Sequence, residues 1–129
     1  MNKFLDALRA EIINAVPELA GQVWPGSAPK SHSIPYAIYV NMGEIRERYL
    51  NSLSQPLGVR VMLNVFERNY DAMRLLRHQA EKFLLGLRFV NIGAEGEWFV
   101  NHAEIGTVTE TYENEISLHR GIIDFEVFF

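Results

Sequence analysis

The chain contains no cysteine. That absence excludes a disulfide framework, a thiolate metal site and a cysteine nucleophile together, and it is consistent with assembly in a reducing cytoplasm. No run of about 18 apolar residues occurs, so no transmembrane helix is expected. The start, M-N-K-F-L-D-A-L-R-A-E, is interrupted by Asp6, Arg9 and Glu11. A secretory signal needs an unbroken apolar stretch there, so none is expected. Basic residues are in the minority: 12 Lys and Arg stand against 16 Asp and Glu, for a net charge of −4. A dedicated nucleic-acid binder would need a basic face to neutralise phosphates. An acidic wall that DNA slides past without sticking is compatible with this balance.

What is present fits one domain, residues 1–129, with 48% hydrophobic residues to build a core. Residues 2–16 read as a helix, because Phe4, Leu5, Leu8, Ile12 and Val16 recur at helical spacing. Asn2 is its expected N-cap, and Pro17 stops it by forcing the preceding residue out of the helical region. Four of the five prolines fall in residues 17–35, where only a short extended piece near Gln22–Trp24 is expected. Residues 36–42, Y-A-I-Y-V-N-M, read as a strand, and 43–56 as a long excursion. In residues 57–67, Leu57, Val59, Val61, Leu63 and Val65 face one way; Arg60, Met62, Asn64 and Phe66 face the other.

Asn69 or Asp71 caps a second helix with an apolar stripe of Met73, Leu76, Ala80, Phe83, Leu84 and Leu87, ending near Gly86. Strands follow near 88–92, 98–102 and 104–112. The last, 117–129, alternates Ile123, Phe125, Val127 and Phe129 with Ile122, Asp124, Glu126 and Phe128. The expected order is α-β-β-α-β-β-β-β. The fold class is α+β, a mostly antiparallel sheet with two helices packed on one face.

Candidate chemistry is sparse. Gly26–Ser31, G-S-A-P-K-S, ends like a phosphate loop, but Pro29 sits where the Walker pattern needs a glycine with a backbone N–H. His32, His78, His102 and His119 show no metal-pair spacing. Glu95, Glu97, Glu104, Glu110, Glu113 and Glu115 make an acidic segment. It reads as a solvated face, or as the acidic inner wall of a ring repelling phosphates, rather than a glycosidase pair. The serines form no G-x-S-x-G elbow. No enzyme, cofactor or metal is expected. Mixed charge and exposed apolar groups single out the loop 43–56 as a subunit or partner contact, with Glu44, Arg46, Glu47, Arg48, Tyr49, Leu50 and Leu53 as candidates. Phe128, an aromatic among the acids Asp124 and Glu126, hints at a partner surface.

In order along the chain, V-W-P-G-S-A-P, I-P-Y-A-I-Y-V and V-R-V-M-L-N-V-F-E-R-N-Y-D-A-M-R-L-L, closing with H-R-G-I-I-D-F-E-V, resemble the tail-completion and tail-terminator proteins of long-tailed bacteriophages and prophages. In that family a helix precedes a "y-P-x-x-a-P" loop, a P-Y strand, a "v-q-v-d-v-w/f" strand and a helix opening near "s-Y-x-x-a". The resemblance implies a structural protein without catalytic residues. It would form a ring, commonly a hexamer, on the head-proximal end of the tail tube. There it would stop tube polymerisation and join the tail to the head connector, with DNA passing through the lumen. Its partners would be itself, the tube protein and the connector. Its place would be the host cytoplasm during assembly and then the virion tail. The alternative reading is a small cytoplasmic binding module, a dimer with a ligand groove beside Trp24 and Tyr36. A hydrolase using the Glu-rich half ranks below both.

Overall fold

The computed structural model describes residues 2–46 and 56–129, with side chains from Lys3 onward. The expected cap by the Asn2 side chain therefore lies outside the described residues. Helix α1 (Asn2–Ala15) buries Phe4, Leu5, Leu8 and Ile12, the residues whose spacing predicts it. Pro17 opens a single 3-10 turn (Pro17–Leu19). The chain then leaves through Ala20 and Gly21, both at positive φ, into the short strand β1 (Val23–Pro25).

One six-stranded sheet follows, in the spatial order β1-β2-β3-β6-β5-β4. Its further strands are β2 (Tyr36–Ile45), β3 (Gly58–Glu67), β4 (Arg88–Ile92), β5 (Trp98–Glu113) and β6 (Leu118–Phe128). Helix α2 (Tyr70–Leu85) joins β3 to β4. The observed order is thus α-β-β-β-α-β-β-β. Two differences from the sequence reading produce it. The extended piece at Val23 is a strand of the sheet, and the segments 98–102 and 104–112 are one continuous strand. The sheet is mixed rather than wholly antiparallel, because β1 runs parallel to β2, with Val23 opposite Ala37. The remaining strand pairs are antiparallel.

Both helices cover one face. Phe4, Leu8 and Ile12 of α1 and Met73, Leu76, Ala80 and Leu84 of α2 share a core with Val59, Val61, Leu63 and Val65 of β3 and Ile123, Phe125 and Val127 of β6. These are the alternating residues expected to point inward, with one exception. Leu57 precedes the strand and is 45% exposed. Gly121 lies where α2 crosses the sheet. A Cβ there would come within 2.8 Å of Met73 Sδ, so glycine lets the helix approach. Asn69 caps α2, its Oδ1 accepting from the N–H groups of Asp71 and Ala72 at 2.8 and 3.2 Å.

The opposite face is not bare. Between β1 and β2 the Pro-rich segment lies across one end of it, and Ala28 and Ile34 pack on Tyr36, Phe66 and Leu118. Tyr36 and Phe66 stack at 4.7 Å. The G-S-A-P-K-S segment therefore serves as part of an apolar cover.

Candidate assembly surfaces

Of the loop candidates, Glu44 and Arg46 are described; Glu47, Arg48, Tyr49, Leu50 and Leu53 lie outside the described residues. Residues 43–45, expected in the loop, belong to β2 instead. Gly43, Glu44 and Ile45 continue the pairing with β3 opposite Arg60, Val59 and Gly58. A register shift between Asn41 and Gly43 breaks the alternation there, which hides the strand from a periodicity reading. Arg46 Nη2 donates to Glu44 Oε2 at 2.6 Å, so these two opposite charges meet across the strand end. The exposed side chains Met42 and Leu57 lie at the same end of the β2–β3 pair.

Beside them runs a groove of about 460 Å³ on the uncovered part of the outer face, lined by Met42, Arg60, Gly106, Asp124 and Glu126. Thr107 Oγ1 donates to Asp124 Oδ2 at 2.8 Å, and Arg60 Nε lies 3.6 Å from Glu126 Oε2. Glu104 stands directly opposite Glu126 in the β5–β6 register. Three carboxylates against one guanidinium give this face an acidic excess. Phe128, expected to hint at a partner surface, stacks on His102 at 4.8 Å and is half-buried.

The acidic segment divides by environment. Glu110 accepts from the Tyr70 hydroxyl at 2.9 Å and lies 3.4 Å from Arg77 Nε, close enough for an ion pair but without hydrogen-bond alignment. Glu113 holds Arg120 at 3.1 Å. Glu97 accepts the Glu95 N–H at 3.0 Å in the β4–β5 turn. Glu104 and Glu115 are exposed. The segment is thus part internal bracing and part solvated surface. Tyr70 has its pKa raised, first by the hydrogen bond to Glu110.

Two surfaces have no counterpart in the sequence reading. Strand β5 pairs with β6 from His102 to Glu113, but with β4 only from Trp98 to His102. Its other margin from Ala103 onward is an unpaired sheet edge among the described residues. It carries no proline or lysine, but Glu104 and Glu110 and the register shift between Ile105 and Thr107 lie along it. The alternating T-V-T-E-T-Y of Thr107–Tyr112 is a signal for such a strand, but its free margin follows only from β4 being short. The second surface is the outer side of α2, where Leu75 and Leu85 are 63% and 61% exposed.

Elsewhere the side chains are engaged structurally. Asn64, 2% exposed, accepts from Arg120 Nε and Nη2 at 2.9 and 2.6 Å and donates to the Ile38 carbonyl at 3.2 Å. Arg9 sits 5.7 Å over the Trp24 ring, and Tyr36 is buried against Phe66, so neither aromatic is presented as an open groove wall. Among the described residues no three His, Asp or Glu side chains are grouped to hold a metal, and no helix is long and apolar enough to cross a membrane.

Comparison with known proteins separates fold from sequence. No protein-family model matches the chain. No curated protein matches it either. Among solved structures, a chain from the virion of a native gene transfer agent (GTA) particle superimposes with a TM-score of 0.65. The match covers 96% of this chain and 95% of that one at 10% sequence identity. Its helices and sheet are thus laid out as in a virion component of that particle, with almost none of the residues shared.

Proposed function

We propose that the chain is a structural subunit of a phage-like virion, and within it a tail terminator. In this reading it assembles as a ring, with six copies as the working number, on the head-proximal end of the tail tube. It stops tube growth and offers the surface that meets the head connector. DNA passes through the lumen without specific binding. The protein is no enzyme; it acts by shape and contact, first in the host cytoplasm and then in the virion tail.

The observation that carries this reading is the end-to-end fold likeness to a chain of a gene transfer agent virion, which leaves almost no part of either chain unmatched. The ordered resemblance of its strands and loops to tail-terminator proteins narrows it. The surfaces agree with it physically. A ring requires distinct, head-to-tail contacts that close by rotation. The open margin of β5 and the β2–β3 end with Glu44 and Arg46 are two different lateral surfaces suited to that. An acidic outer face, with Glu104, Asp124 and Glu126, suits a wall that DNA slides along. Native mass spectrometry over a concentration series, with negative-stain imaging of the same samples, tests it. Closed rings support the reading, and a strict dimer at every concentration refutes it.

A further inference from the structure

We infer that the outward stripe of α2 receives the tip of the β5–β6 hairpin from a second copy of this chain. The inference rests on the ring reading and names one of its lateral contacts.

The stripe follows from helix geometry. Leu75, His78, Lys82 and Leu85 are spaced by three, four and three residues, so they fall on one side. Met73, Leu76, Ala80 and Leu84, the buried set, occupy the other. The two exposed leucines stand about 15 Å apart along the axis. Between them are the imidazole of His78, 3.2 Å from Glu81 Oε2, and the ammonium of Lys82, with Arg74 alongside over the Tyr70 ring. Lys82 makes no hydrogen bond or ion pair with any described residue. The patch is apolar at both ends, with the Lys82 charge between them.

The hairpin tip has the matching chemistry. Ile116 is 50% exposed and Tyr112 46%. Between these two residues Glu115 is exposed, and it too has no hydrogen bond or ion pair among the described residues. A carboxylate flanked by apolar groups thus meets an ammonium flanked by leucines.

The contact cannot form within one copy. The hairpin is fixed beneath its own helix: Tyr70 and Arg77 hold Glu110, and the His119 ring lies 5.6 Å from Tyr70 and 4.8 Å from Tyr112. The stripe faces away from that side. Donor and receiver are therefore different surfaces of the molecule, and repeating their contact from each copy to the next generates a ring or an open helix.

The test uses the full chain with Lys82→Glu, Glu115→Lys and both together. Native mass spectrometry and sedimentation velocity read assembly, and thermal melts check folding. Each single reversal replaces an attractive pair by a repulsive one and is expected to weaken self-association about tenfold. The double variant, or an equal mixture of the two singles, restores it. Zero-length carbodiimide coupling of mixed light and heavy-isotope protein should give a Lys82–Glu115 cross-link between copies. Rings formed equally well by both single variants, or a double variant no better than the singles, would overturn this contact and leave the ring reading standing. Wild-type protein that never exceeds a dimer at any concentration, with tail tubes present or absent, would overturn both.

Discussion

Asn64 joins three strands through a single side chain. It receives Arg120 of β6, donates to the Ile38 carbonyl of β2 and sits within β3, while Arg120 continues to Glu113 of β5. A buried donor or acceptor left without its partner costs about 1–3 kcal/mol. Asn64→Ala is therefore expected to lower unfolding stability by about that amount in urea melts, because Arg120 loses its buried acceptor. Strand alternation placed Asn64 on the outer face, but its partner lies 56 residues away and carries no local signal. The tyrosines set a pH limit. Burial raises the pKa of Tyr36, and burial followed by the Asp6 charge raises that of Tyr39. A folded-state pKa above the unfolded value means that the folded chain holds its proton longer. The associated stability is full below about pH 10, the unfolded tyrosine value, and is lost as pH rises through the folded values. Thermal melts should show stability falling above about pH 10, and Tyr39→Phe should make that fall shallower. An equal slope in the variant would contradict the assignment.

The helices were legible because a buried stripe must recur every three or four residues, and both stripes are buried as the spacing requires. Strands were legible where they alternate cleanly, as in β3 and β6. Elsewhere the signal failed for identifiable reasons. β1 is three residues long, and a parallel pairing leaves no mark on its own sequence. β5 shifts register between Ile105 and Thr107, and β2 between Asn41 and Gly43, so strict alternation ends in each. The candidate loop therefore begins after Ile45, later than the alternation predicts. Its true borders are close in space: Ile45 pairs with Gly58, and the Leu57 N–H donates to the Ile45 carbonyl at 2.7 Å. Joined ends make a shorter connection cheap. Replacing residues 47–55 by a short Gly-Ser turn is expected to leave circular dichroism and melting temperature nearly unchanged while weakening assembly. Loss of the folded signal, or assembly at wild-type strength, would sink the loop's contact role.

Among the described residues, the molecule presents a covered sheet face that holds the fold together and several exposed surfaces. These are the β5 margin, the acidic outer groove, the α2 stripe and the β2–β3 end. In the sequence, the proposed assembly rests only on a resemblance in order. Which surfaces remain open depends on strand order, and strand order is set by contacts between distant segments. Native mass spectrometry of the full chain over rising concentration, alone and with phage-like tail tubes, tests the central claim most directly. The account predicts a discrete closed ring, six copies being the working number, formed freely or on the tube end. A species that never exceeds a dimer, with tubes present or absent, would contradict it.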